Sequence, residues 1–190
     1  HMNMKKTIGS IGGMGPLATA DLFRKIVTMT DAKCDQEHPR VLIDSNTNIP
    51  DRTAAILTGG ENPLPQLATS ARTLERAGAD VLMMPCNTAH YFYDGVCAAT
   101  KLPVLHMLRL TAEEIDRRKI KTVGLLATDG TIQTGIYERL FGEHGVAVVK
   151  PDAAGQKRVM ALIYDGVKAG NAAFDTTPVR VVLDAMLALG

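Results

Sequence analysis

The chain has no tryptophan, and only 4% of its 190 residues are aromatic. With 46% of residues hydrophobic, any core must therefore be built from Ala, Leu, Ile, Val and Met. A charge of one sign is also missing. Its 21 basic residues face 20 acidic ones for a net charge of +1, which argues against bulk attraction to nucleic acid or an anionic membrane surface. No apolar run approaches the ~20 residues of a membrane span. The three cysteines, Cys34, Cys86 and Cys97, lack metal-ligand spacing, so no metal site is expected and they read as reduced thiols of a cytoplasmic protein.

An export signal is excluded in the same way. Lys5 and Lys6 precede an apolar stretch, and Ala18-Thr19-Ala20 has the outline of a cleavage site. Yet Gly9, Gly12, Gly13, Gly15 and Pro16 break that stretch, and a signal core has to be continuous. The segment reads as a strand and loop of the mature fold, and His1-Met2 as a cloning remnant.

What is present is alternation. Strands are expected at 6–11, 41–44, 81–84, 104–106, 122–126 and 146–149, with helices at 16–29, 65–77, 91–99, 109–118, 131–143 and 154–169. That order predicts an α/β fold with parallel sheets covered on both faces by helices. A faint repeat divides it. "TIGSIGGMGPLATADLFRKI" and "TVGLLATDGTIQTGIYERLF" each read as strand, Gly/Thr loop and helix, and "LATSARTLERAG" finds an echo in "VRVVLDAMLALG". The expected division is residues 1–106 and 107–190. Cys86 follows Gly78, and its counterpart would fall beyond Gly190, so the second domain is expected to be truncated at its C-terminus.

The chemistry concentrates at strand ends, where open parallel sheets collect ligands. "MPCNTAH" places the Cys86 thiol there, with the Asn87 amide, the Thr88 hydroxyl and His90 close behind. Helix N-terminal amides favour an anion, either a thiolate or a bound carboxylate, although a strand-end cysteine also serves as a small buried hydrophobe. In "GGMGP", Gly13, Gly15 and Ala18 match a dinucleotide fingerprint. Pro16, however, removes an amide that a pyrophosphate would need, and no acidic residue closes a second strand at the usual offset. Met14 and Gly15 read better as a wall that lets a small substrate approach the backbone. Arg52 in "IPDRT" offers a fork for a carboxylate, or is a plain surface-loop arginine. Thr128 and Thr131 in "LATDGT" offer hydroxyls or an ordinary Asp-Gly turn. Lys168 is a second cation for the cleft, or a solvated helix-end lysine.

Four of these stretches, "IGGMGPLATADLFRKI", "IPDRT", "MPCNTAH" and "GLLATDGT", resemble signatures of the aspartate/glutamate racemase family, in the same order and over nearly the whole chain. The resemblance implies two domains related by a pseudo-two-fold axis, a homodimer, and racemisation of an amino acid, aspartate above all, with no cofactor. One thiolate removes the α-proton from one face and a second thiol protonates the other. Cys86 matches the first thiol, Asn87 and Thr88 match residues beside the α-carboxylate, and Arg52 and Lys168 match cations for the side-chain carboxylate. The family's second cysteine lies in a Gly-Cys-Thr-Glu stretch that has no match here, and neither Cys34 nor Cys97 fits it. Little racemisation is therefore expected from these 190 residues alone. A related cysteine-dependent isomerase or decarboxylase of small diacids, or a non-catalytic carboxylate-binding relic, remains open.

Overall fold

The computed structural model describes residues 5–190; the reading of His1-Met2 lies outside them. Strand β1 (Ile8–Gly12) is central and almost wholly buried. It pairs in parallel with β2 (Val41–Ser45), from Ile8 opposite Val41 to Gly12 opposite Ser45. On its other side it pairs in parallel with β3 (Val81–Met83). A lone parallel bridge from Leu82 to Val104 extends this sheet, so the strand expected at 104–106 is reduced to one contact. A second parallel sheet joins β4 (Thr122–Gly124) to β5 (Ala147–Val149). The chain is thus an α/β fold with two parallel sheets flanked by helices.

Crossover helices connect the strands. Helix α1 (Pro16–Met29) opens with proline at its first position, where a missing N–H costs nothing. Helix α2 (Arg52–Leu57) occupies a stretch expected to be a loop; the Asp51 carboxylate caps it by accepting from Ala54 N at 2.7 Å. Next come α3 (Leu64–Arg76), α4 (Tyr93–Ala98), which follows a 3₁₀ segment at Thr88–Phe92, and α5 (Met107–Arg117). The single helix expected over 131–143 is two, α6 (Asp129–Thr134) and α7 (Ile136–Gly142), broken by Gly135 at φ +64°. Helix α8 (Ala153–Ala161) loosens into a π-helical turn at Leu162–Val167, and α9 (Thr177–Leu187) follows. No helix among the described residues is long and apolar enough to cross a membrane.

Two buried clusters correspond to the two sheets. Ile11, Leu67, Leu74, Leu82, Met84 and Val96 centre the first, and Cys86 belongs to it. Leu108, Leu125, Tyr137, Phe141 and Val146 centre the second. Coverage is less complete than expected. In the edge strand β2 every residue is half-buried or exposed, Ile43 included, and β4 is largely exposed. An edge strand lacks a neighbour on one side, and helix packing reaches it only partly.

Candidate active site

Loops leaving the carboxyl ends of the strands converge between the two sheets. Residues 13–15 follow β1, residues 84–88 follow β3, and residues 125–128 follow β4. Together with the π-helical turn they enclose a cavity of about 200 Å³. Its wall includes Met14, Gly15, Cys86, Asn87, Thr88 and Thr128, together with Ile163, Val167 and Lys168. The wider π turn brings those last three side chains to one surface, an effect that no sequence period announces.

The first wall is held by hydrogen bonds to its backbone groups, two of them made by the Thr19 side chain. Gly13 has φ +91°, and a Cβ there would stand 2.4 Å from the carbonyl carbon of Asn46, so only glycine fits. Its N–H donates to Thr19 Oγ1 at 3.0 Å, and Thr19 Oγ1 donates to Gly15 O at 3.1 Å. Asn46 N donates to Gly12 O at 3.2 Å. The Gly13 amide is thus committed within the protein, which further weakens the dinucleotide reading.

Cys86 is buried, and its backbone carbonyl is gripped from behind. Met107 N donates to His90 Nε2 at 3.2 Å, so that nitrogen is the acceptor and Nδ1 carries the ring proton. Nδ1 then donates to Cys86 O at 2.7 Å. Burial lowers the His90 pKa, which favours this neutral tautomer. His90 therefore braces the cysteine turn, and both its nitrogens are occupied. Cys34 is exposed and Cys97 packs against the first core, so among the described residues Cys86 is the one thiol on the cavity wall.

Hydroxyls close the floor. Thr88 Oγ1 shares hydrogen bonds with Thr128 Oγ1 at 2.7 Å and with Thr131 Oγ1 at 2.9 Å. Thr128 also caps α6, accepting from Thr131 N at 3.2 Å. Thr131, the third corner of this hydroxyl triangle with Thr128 Oγ1 donating to its Oγ1 at 3.3 Å, is absent from the cavity wall. Asn87 takes a partner from the other half, its Oδ1 accepting from Tyr137 OH at 2.9 Å.

The two cations differ. Lys168 lies on the wall with Nζ donating to Met14 O at 3.2 Å. Burial first of all holds its ammonium below the usual lysine range, the Arg52 charge adds to that, and negative charge at Cys86 opposes it. A carboxylate entering the cavity would shift the lysine back up by favouring its charged form. Arg52 is buried and sits in the first turn of α2. Its Nη1 donates to Pro50 O at 3.2 Å, and its Nε finds no partner. It lies outside the wall of this cavity. Asp51, its neighbour, accepts from Tyr164 OH at 2.9 Å.

Sequence reasoning missed Tyr137 and Tyr164 and left His90 without a role. The two tyrosines read as helix-face residues, and their partners lie 50 and 113 positions away. Nothing local marks such a pairing. Among the described residues no three His, Cys, Asp or Glu side chains gather as a metal site.

A sequence profile of the Asp/Glu/hydantoin racemase family matches residues 11–190. The chain belongs to that family. It is 30% identical over 158 residues to the broad specificity amino-acid racemase RacX of Bacillus subtilis (strain 168), covering 76% of this chain and 64% of that protein. The chain thus spans less than two thirds of that curated relative. Among solved structures, an aspartate racemase of Picrophilus torridus superposes with a TM-score of 0.89 at 33% identity, over 96% of this chain and 77% of that one. An aspartate racemase homologue of Pyrococcus horikoshii OT3 gives 0.74 at 28%, over 98% and 82%.

Proposed function

We propose that these residues form part of a cofactor-independent amino-acid racemase whose preferred substrate is aspartate. The observation that carries this reading is the cavity itself, where one buried thiol, an amide, two threonine hydroxyls and a lysine share a wall. The Cys86 thiolate takes the α-proton: the Cα–H bond breaks, an S–H bond forms, and the electron pair stays on Cα, spreading into the α-carboxylate. Asn87 and Thr88 donate to that carboxylate as its charge grows, and removing one donor of this kind typically costs ~10²-fold in rate. Lys168 receives the side-chain carboxylate, with the Arg52 charge behind it. Racemisation further needs a second acid, which this cavity wall does not supply, to return a proton to the opposite face. We extend the proposal to the assembly: two domains, 1–106 and 107–190, in a homodimer of a cytoplasmic enzyme.

The likeness to RacX favours a second reading, in which the same wall serves several amino acids. Substrate choice separates the two. If Lys168 grips a side-chain carboxylate, Lys168→Met raises KM for aspartate by about ten- to a hundredfold, the worth of one charge-assisted hydrogen bond, and leaves alanine unaffected. Equal losses on both substrates support the broad reading.

The decisive assay supplies L-aspartate and follows D-aspartate by chiral chromatography, both for residues 1–190 and for the chain with any C-terminal continuation its gene encodes. Deuterium entry at Cα in heavy water reports one-sided proton exchange. D-aspartate from the longer chain, absent in its Cys86→Ser variant, is the expected result. No D-amino acid and no deuterium with any substrate would overturn the proposal in favour of other diacid chemistry or simple binding.

A further inference from the structure

Asn87 touches the second half of the molecule through one atom. Tyr137 sits on α7, buried, with its ring edge-on to Phe141 at 5.2 Å between centroids. Its hydroxyl leaves that apolar packing and reaches Asn87 Oδ1 at 2.9 Å. Burial above all, with negative charge at Cys86 adding to it, pushes the phenol pKa up to about 12. The hydroxyl therefore keeps its proton at any working pH and is able to donate.

A side-chain amide has one acceptor oxygen and one NH₂ group with two donors. When the oxygen is engaged by Tyr137, Nδ2 is left with both hydrogens. Asn87 lines the cavity beside Cys86 and Thr88, and no protein acceptor takes those hydrogens among the described residues. A rotation of the amide by half a turn would reverse this, aiming a carbonyl oxygen at an incoming carboxylate. One tyrosine hydroxyl separates a favourable contact from a repulsive one.

We propose that Tyr137 is a positioning residue: by holding the Asn87 carbonyl, it turns the amide NH₂ into the cavity to receive the α-carboxylate of an amino acid. The naming of that ligand rests on the racemase reading; the orientation of Asn87 does not. The site is then complete only when α7 is docked, so carboxylate recognition reports closure of the second half onto the first.

Tyr137→Phe is the natural test, since it keeps the ring against Phe141 and removes one oxygen. In ¹⁵N-labelled protein, the Asn87 side-chain NH₂ signals are assigned by their loss in Asn87→Ala. Tyr137→Phe should shift that pair while the Asn46 pair, held by Gln66 and Ser70 at 3.2 and 3.0 Å, stays in place. An unmoved Asn87 pair overturns the proposal, whatever the protein's activity. With L-aspartate as the probe, Tyr137→Phe should weaken binding roughly tenfold, and in an Asn87→Ala background it should cost nothing further. Losses that add independently would also overturn it, because a tyrosine with only a packing role does not couple to Asn87. If the unaltered chain binds no amino acid yet the Asn87 pair still shifts, the positioning is supported and it is the racemase reading that fails.

Discussion

The two halves contribute to one cavity by different means. The first offers a buried central strand flanked on both sides, and its cavity loops are locked through main-chain atoms: Gly13 N on Thr19, Asn46 N on Gly12 O, and His90 on the carbonyl of Cys86. The second offers a two-stranded, half-exposed sheet, and it serves the cavity through side chains: the Thr128 hydroxyl and the Lys168 amine on the wall, and the Tyr137 hydroxyl by way of Asn87. The first half's contacts all end on main-chain atoms of the cavity loops, with Thr19 and His90 reaching them from within the same half. The backbone that carries the reactive thiol is thereby held in place. Side-chain contacts adapt and can be exchanged. Damage in the first half should therefore strike chemistry or folding, and damage in the second should strike affinity and closure.

The largest effect expected is chemical. Cys86→Ser leaves the volume nearly unchanged but replaces the acid/base, so α-deuterium exchange, read by proton NMR, should fall about a thousandfold. The melting temperature should hardly move. A variant that keeps its exchange rate would remove the reactive atom from the first half and end the contrast.

A pair of loop glycines sharpens the contrast in stability. Gly13 and Gly135 both have positive φ, at +91° and +64°. A Cβ at Gly13 would collide with Asn46 backbone at 2.4 Å, whereas at Gly135 the nearest atom is the flexible end of Arg139 at 3.5 Å. Gly13→Ala should cost about 3 kcal/mol or more, combining strain with a clash that backbone cannot relieve. Gly135→Ala should cost only about 1 kcal/mol, the left-handed penalty alone. Urea titration of both variants measures this directly, and equal losses would show that the second half is no more forgiving than the first.

At the seam between the halves, Thr131→Val removes one corner of the hydroxyl triangle. Thr88 and Thr128 still share their 2.7 Å bond, so the expected cost is about 1 kcal/mol. Thr131→Ser should restore it, since only the hydroxyl is required. A loss that serine does not rescue would assign the effect to the methyl group and its packing.

How much of this was legible in the sequence follows from the same division. Strands β1 to β3 stand within two residues of expectation because their apolar runs are bounded by Gly, Pro and Asp, and Cys86 was findable because ligands gather at the ends of parallel strands. Helix α2 was missed although its signal was present: Asp51 after Pro50 is an N-cap ahead of an apolar turn. The break at Gly135 follows from a left-handed residue that a 3.6-residue period does not reveal. Tyr137 could not be read at all, because its role depends on a partner delivered by another sheet. Main-chain devices leave a local mark in sequence, and side-chain bridges between halves do not.

The smallest effect expected near neutrality is a pH dependence at the junction of the halves. His106 caps α5, its Nδ1 accepting from Arg109 N at 3.2 Å. Its ring lies 4.9 Å from His90 and 4.5 Å from Tyr93. Burial first, then the charges of His90 and Arg109, push its pKa down to about 4, with Asp94 opposing. Burial shifts His90 in the same direction. The unfolded chain then binds more protons than the folded one between about 6.5 and 4, so the folded state is fully favoured above that window and loses stability as pH falls through it. Melting should stay level from pH 8 to 7 and then drop by a growing number of degrees towards pH 5. His106→Asn keeps a cap for α5 and removes the titration, so its melting curve should fall less over the same range. An unchanged slope in that variant would move the acid sensitivity away from this junction and onto one of the two halves.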